Sequence, residues 1–231
     1  MIEVKNVVKK YGKVTALNGA TFNIKEGRVT GILGINGVGK STVLKAIMGL
    51  IPIKSGEILI DGELLTEKTY DKLAFIADVP TYYPGMTIEE IFQFMDTFYR
   101  LWDKDKAYKM LTYFKLDKKK KIAELSKGNI ARVKVILGYS QKSKYLLMDE
   151  PFSGMDIFTR EAFIETMMGE FAEDGQALII TTHEIAEIEH IVDDVIILEN
   201  GQVVSSFSAE KVREEEGKSI VDVMREVYRN A

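Results

Sequence analysis

The sequence contains no cysteine, so disulfides and thiolate metal sites are excluded, which suits a reducing compartment. It lacks an excess of positive charge: the formal net charge is −4, and no broad nucleic-acid-binding surface is implied. No stretch approaches the roughly 20 apolar residues needed to span a bilayer. The opening segment, MIEVKNVVKKYG, alternates like a strand and has no apolar region of the kind a signal peptide carries. A soluble protein is expected, one that reaches a membrane only through partners. There is no internal repeat.

What is present begins with Gly34–Thr42, GINGVGKST. It fits G-x-x-x-x-G-K-[ST] at Gly34, Gly39, Lys40 and Ser41. Glycines at 34, 37 and 39 let the backbone turn tightly and approach an anion. The amides of Gly34, Ile35, Asn36, Gly37, Val38, Gly39 and Thr42 lie on a loop that opens a helix, whose dipole also favours negative charge. Lys40 can reach β- and γ-phosphate oxygens, and the Ser41 hydroxyl can ligate Mg²⁺. The flanks agree: residues 28–33 (RVTGIL) read as a buried strand, and Ser41–Leu50 as a helix with Val43, Leu44, Ile47 and Leu50 as its apolar positions. The stretch is expected to bind a nucleoside triphosphate.

The 231 residues, 46% of them hydrophobic, suit one sizeable domain with room for a subdomain. Ile2–Val8 and Thr21–Ile24 read as strands, and Gly56–Ile60 with Gly62–Leu65 as a hairpin around Asp61-Gly62. Leu73–Ala77 is another short apolar strand. After Pro80 the pattern turns helical and aromatic-rich, opened by Thr87 as a helix cap. Strands return at Tyr145–Met148, Ala177–Thr181, Val195–Leu198 and Gln202–Phe207, with helices expected near Ile157–Phe171 and His183–Ile191 and a charged helical tail from Ala209. This alternation predicts an α/β fold: a P-loop NTPase core with a largely parallel sheet, an antiparallel β subdomain and an inserted helical subdomain. The expected divisions are about 1–79 and 140–208 for the core, about 80–139 for the insert and about 209–231 for the tail.

Residues 145–150, YLLMDE, form a short apolar strand ending in two carboxylates. In α/β sheets ligands bind at the carboxyl ends of strands. Asp149 is expected to hold the Mg²⁺ shell through water and Glu150 to orient and polarise an attacking water. Asp-Glu-Pro is also ordinary turn chemistry, so the pair gains its meaning from the phosphate loop upstream.

The ordered motifs together resemble those of ATP-binding-cassette (ABC) ATPases over about Ile2 to Phe207. Residues 125–129, LSKGN, resemble the LSGGQ signature; residues 152–156, FSGMD, resemble the D-loop; residues 181–184, TTHE, resemble the switch-histidine loop. Tyr11 stands where the family places an aromatic that stacks on adenine. The resemblance implies that the cofactors are ATP and Mg²⁺ and that His183 contacts the γ-phosphate and works with Glu150. It implies that Ser126, Lys127, Gly128 and Asn129 meet ATP bound to a second ABC subunit, identical or paralogous, and that Ser153 and Asp156 of the D-loop couple the two sites. It also implies a separate membrane-spanning transporter subunit, no nucleic acid, and a cytoplasmic place at the inner face of the cell membrane. The general run of the sequence looks most like ATPases of small bacterial exporters. The rival readings are a cassette that powers a non-transport complex and a non-catalytic ATP-binding module.

The sequence departs from the family at three positions of the site. Asp78 falls where the family usually has a Gln that contacts Mg²⁺ or water; an ionised Asp can bind Mg²⁺ but cannot donate a hydrogen bond. Lys127 and Asn129 replace a Gly and a Gln of the signature. Lys118–Lys121 reads as a solvated basic turn and His190 as a helix-surface residue without a companion ligand. Tyr82, Tyr83 and Phe94 are candidate anchors for a partner's helix.

Overall fold

The computed structural model describes residues 1–78, 84–169 and 171–229. Tyr82 and Tyr83 lie outside the described residues. Two sheets organise the chain. The first is antiparallel, with strand order β2-β1-β4-β5, built from β1 (Ile2–Tyr11), β2 (Val14–Ile24), β4 (Ser55–Ile60) and β5 (Glu63–Leu64). The second contains β3 (Val29–Leu33), β6 (Leu73–Ile76), β7 (Tyr145–Asp149), β8 (Ala177–Thr182), β9 (Asp194–Glu199) and β10 (Gln202–Ser208), in the order β10-β9-β3-β8-β7-β6. Its strands are parallel from β9 through β6, and β10 is an antiparallel edge.

The near-continuous apolar runs of β3, β7 and β8 follow from this position, because a sheet covered on both faces needs apolar residues at every step. On β7, Leu146 and Met148 point into one core while Tyr145 and Leu147 point into the other. The same alternation splits Leu178 and Ile180 from Ile179 on β8. The first core is closed by α3 (Ile88–Phe98), α4 (Lys104–Tyr113), α5 (Lys127–Tyr139) and α6 (Ile157–Met168); the second is closed by α1 (Lys40–Ile47) and the antiparallel sheet.

Helices α3, α4 and α5 are inserted between β6 and β7. Thr87 caps α3, accepting from the Glu90 amide, while the Glu90 carboxylate accepts from the Thr87 amide. Phe92 is the pin of this insert: it is buried and meets Trp102 and Tyr108 edge-on at centroid distances of 5.8 and 5.4 Å. A four-residue α2 (Glu67–Tyr70) precedes β6, and α7 (Ala209–Glu215) and α8 (Ile220–Arg229) end the described chain. The apolar side of α8, with Val221, Met224 and Tyr228, packs on the first core.

Two expected elements differ. The second strand runs from Val14 rather than Thr21, because Gly19, at φ 78°, is bulged between paired Asn18 and Ala20 and lets the ladder continue past it. The helix expected over His183–Ile191 is only a 3₁₀ turn at Ile185–Glu187. There the Thr182 hydroxyl accepts from the Glu184 amide and draws the backbone away from helical bonding, and buried Ile185, Ile188 and Val192 hold the tight path.

Candidate functional site

The parallel register brings the ends of four strands to one edge. Leu33 pairs with Thr182, Asp149 with Thr181, and Ile76 with Met148. The residues that follow three of these strands therefore converge: Gly34, His183 and Glu150; Asp78 lies two residues beyond the end of β6.

The loop from Gly34 to Gly39 leaves β3 and enters α1 at Lys40. Its geometry requires glycine at the close approaches. Gly39 has φ 111°, and a Cβ there would sit 2.5 Å from the Ala16 carbonyl oxygen of β2. A Cβ on Gly34 would sit 2.6 Å from the Leu198 carbonyl oxygen. The loop is thus clamped between the hairpin and β9, while Ile35, Asn36 and Gly37 stay exposed. Val38 is buried beneath it, and Ser41 and Thr42 are half-buried in the first turn of α1. Tyr11, at the tip of the β1–β2 hairpin, is 48% exposed, with the Lys9 ammonium 4.8 Å from its ring centroid.

Lys40 is buried, yet its ammonium is satisfied. It donates to the Gly34 carbonyl at 2.7 Å and the Ile35 carbonyl at 3.3 Å, and lies 3.1 Å from Glu150 Oε1. The other oxygen, Glu150 Oε2, is 2.9 Å from His183 Nδ1. Glu150 holds this bridge from a left-handed backbone conformation, φ 44°, that glutamate rarely adopts. The conformation is over-determined: the Glu150 amide donates to both the carbonyl and the hydroxyl of Thr181, each at 3.1 Å.

Asp149 is also buried. Its Oδ1 accepts from the Ser41 hydroxyl and the Thr181 hydroxyl, both at 2.8 Å. A hydroxyl and a carboxylate in contact form a hard-oxygen pair of the kind Mg²⁺ takes alongside phosphate oxygens and water. No group of three or more His, Cys, Asp or Glu among the described residues makes a richer metal site. The donor chemistry therefore fits Mg²⁺ carried in with a phosphate ligand.

The remaining expected residues stand apart. Ser126 caps α5, accepting from the Asn129 amide at 3.3 Å, and Ser126 and Lys127 are exposed. Gly128 faces Thr159 of α6, 3.5 Å from a Cβ at that position to the hydroxyl. Asp156 caps α6, accepting from the Thr159 amide at 3.0 Å and the Thr159 hydroxyl at 2.7 Å, beside exposed Ser153. Among the described residues no hydrogen bond joins residues 126–129 to the phosphate loop. Asp78 is exposed, and its carbonyl accepts from Lys134 of α5 at 2.5 Å.

Sequence reasoning passed over Thr181 as a support for both acids, because only the β7–β8 register pairs it with Asp149. It also passed over Lys134 and the ion pair of Arg160 on α6 with Glu187. Glu187 has its pKa pushed up to about 7, first by burial and then by the neighbouring Glu184 carboxylate, against the pull of Arg160.

The family model for ABC transporters matches residues 17–153. The chain belongs to the ABC transporter family. The cassette is 33% identical over 213 residues to the linearmycin resistance ATP-binding protein LnrL of Bacillus subtilis, covering 89% of this chain and 68% of the relative. Other relatives include a lantibiotic transport ATP-binding protein of Streptococcus pyogenes, 27% identical over 88% of this chain and 89% of the relative, and a manganese transport system ATP-binding protein of Listeria monocytogenes, 28% identical over 92% and 94%. Its fold matches the solved ATP-binding subunit of an ABC transporter at a TM-score of 0.87, with 28% identity and 99% of both chains covered. It also matches a dimeric, post-hydrolysis cassette bound to ADP and Pi at a TM-score of 0.77, with 27% identity over 90% of this chain and 99% of that one. The chain is an ATP-binding subunit of an ABC transporter, an ATPase of the cassette type. No helix among the described residues is long and apolar enough to cross a membrane.

Proposed function

We propose that this cassette binds MgATP between its own phosphate loop and the signature segment of a second cassette, hydrolyses it with Glu150 as base, and drives a separate membrane-spanning subunit in the export direction. The observation that carries the reading is the bridge of Glu150 between Lys40, at 3.1 Å, and His183, at 2.9 Å. A carboxylate held there by the backbone can shift from Lys40 to a water when phosphate oxygens claim the ammonium. His183 holds the other carboxylate oxygen and so fixes the orientation of the base, and its ring would join Lys40 at the γ-phosphate.

The roles around that step follow from chemistry already described. The loop amides of residues 34–39, with Ser41 and Thr42, cradle the phosphates, and Lys40 exchanges its carbonyl partners for phosphate oxygens. Ser41 and Asp149 would hold Mg²⁺, the latter through water, with Asp78 as a further acid at the same edge. When bound, Mg²⁺ supplies neutralisation of charge on the phosphate oxygens. Tyr11 offers an exposed ring to adenine.

The second cassette is supported by what the chain leaves on its surface. Ser126 and Lys127 open a 13-residue helix and face solvent, and the D-loop end carries exposed Ile157 and Phe158, 60% and 77% accessible. An apolar edge beside an anion-binding helix start suits a head-to-tail partner, with Gly128, Asn129, Ser153 and Asp156 at the same border. The membrane subunit is supported by a groove of about 590 Å³ where β6 meets the insert, lined in part by Leu50, Tyr70, Phe75, Phe98 and Tyr99. Phe94 meets Phe98 there with tilted rings 4.6 Å apart, both exposed. Such a groove fits a short helix of the membrane chain, which would keep the cassette on the cytoplasmic face. Linearmycin resistance in the relative favours export.

The test is purification from membranes with identification of the attached chains, followed by Mg²⁺-dependent phosphate release and ATP-driven uptake into inside-out vesicles. A multi-span partner and uptake are expected. A soluble partner alone, or no Mg²⁺-dependent turnover with the partner present, would refute the reading.

A further inference from the structure

Lys134 is a cation in a place the nucleotide chemistry does not need one. It sits about two turns along α5 from the signature cap Ser126, between buried Val133 and Val135. Helix α5 is packed tightly on the sheet there: a Cβ on Gly138 would lie 2.5 Å from Ile76 of β6. The Lys134 ammonium donates to the Asp78 carbonyl at 2.5 Å. In the β6–β7 register Ile76 pairs with Met148, so Asp149 follows on the strand beside the segment that leads to Asp78, and the ammonium sits at these two neighbouring strand ends. Burial lowers its pKa, while the charges of Asp78 and Asp149 oppose that shift. Asp149 is the same carboxylate that accepts from Ser41 at 2.8 Å.

We propose that Lys134 is a positioning residue that ties the signature helix to the Asp78 and Asp149 strand ends, and that its charge opposes Mg²⁺ entry at Ser41 and Asp149, so that metal-nucleotide binding is felt by the helix that presents Ser126. This rests on the reading that Ser41 and Asp149 hold the metal. A divalent cation brought to Asp149 meets a lysine charge held at the neighbouring strand end, on the Asp78 carbonyl. Like charges in a half-buried setting repel strongly. The flexible stem lets the ammonium withdraw, and withdrawal breaks its bond to Asp78. The link between α5 and the end of β6 is then weaker in the loaded cassette than in the empty one. Coupling of this kind is reciprocal: whatever fixes α5 against the strand ends also raises the cost of metal entry.

The experiment is a titration of the purified full chain with a fluorescent ATP analogue, with Mg²⁺ and with EDTA, in wild type, Lys134→Gln and Lys134→Arg. Gln keeps a donor for the Asp78 carbonyl and loses the charge; Arg keeps the charge. The readout is the ratio of the Kd in EDTA to the Kd in Mg²⁺. It is expected to rise about tenfold in Lys134→Gln and to stay within about twofold of wild type in Lys134→Arg, in the range of ordinary site–site couplings. A wild type whose affinity ignores Mg²⁺ overturns the metal role of Ser41 and Asp149, and this proposal with it. A Mg²⁺-responsive wild type with an unchanged ratio in Lys134→Gln, or with equal changes in both variants, overturns the role of Lys134 alone.

Discussion

Replacing Glu150 by Gln should slow hydrolysis and tighten ATP binding at once. The carboxylate Oε1 is 3.1 Å from the Lys40 ammonium, and the two side chains are only 14% and 5% exposed. At an effective dielectric constant of about 20 the bare attraction at that distance is about 5 kcal/mol. Desolvation of both groups cancels most of it, leaving about 1–2 kcal/mol net. Without nucleotide, this pair competes with phosphate for Lys40. The amide of Gln competes far less, so ATP affinity should rise roughly tenfold, at about 1.4 kcal/mol per decade. The same change removes the proposed base, and loss of a positioned general base costs roughly 10²- to 10⁴-fold in rate, or about 3–5 kcal/mol. Gln also keeps the shape and inherits the left-handed backbone at φ 44°, so the fold should be little disturbed. Equilibrium titration and phosphate release read the two effects separately, and gel filtration with ATP should reveal a trapped dimer. A variant with weaker binding and slower turnover together would mean that Glu150 serves binding. A rate within about threefold of wild type would remove it from the chemistry.

Other substitutions separate binding, loop geometry and proton linkage. Lys40→Ala deletes the ammonium held by the Gly34 and Ile35 carbonyls and should weaken ATP binding by about 2–3 kcal/mol, measured by calorimetry. Gly39→Ala forces a Cβ to within 2.5 Å of the Ala16 carbonyl at φ 111°, and should lower stability by about 2–3 kcal/mol in urea unfolding and abolish binding. Glu187 has a folded pKa raised to about 7 from 4.5, so the folded state holds a proton that the unfolded chain has released, and stability falls as pH rises between those values. With the acid shared with Glu184 and partly screened, the loss should be about 1–2 kcal/mol from pH 5 to 8, and Glu187→Gln should flatten the slope of the urea midpoint against pH. An unchanged slope would place the proton elsewhere.

The central strands and the phosphate loop were legible because their signals are local. Glycine spacing, a lysine at a helix start and apolar runs of five or six residues each report a constraint met within one segment. Tyr145–Met148 could be read as a short apolar strand before its neighbours were known, and every residue of β7 is buried. The supports of the site were not legible, because they depend on register. Thr181 reaches Asp149 only through the pairing of β8 with β7, and Arg160 reaches Glu187 only through the packing of α6 on the switch segment. Asp156 was read through resemblance as a coupling residue; that it also caps α6 was open to a reading of Asp-x-x-Thr. The missing helix after His183 shows the reverse error: a plausible composition was overridden by a serine-threonine-type turn at Thr182 and by three buried side chains.

These supports change how the surface elements are understood. Gly128 of the signature faces Thr159, and Thr159 is bound through its amide and hydroxyl to Asp156 of the D-loop. The next residue, Arg160, pairs with Glu187, which lies beside Glu184, whose carboxylate is 3.5 Å from His183 Nε2. His183 in turn holds Glu150. The surface proposed to meet a second subunit is therefore joined to Glu150, the proposed base, through packed side chains and charge contacts. Continuity alone does not establish coupling between two sites; the physical requirement is a two-state element that both sites bias. In the proposed cycle the carboxylate of Glu150 would have two such states, on Lys40 without phosphate and on water with it. The exposed elements at Ser126 and Asp156 are placed to feel that shift because neither is a free loop; each caps a helix that the core holds in place.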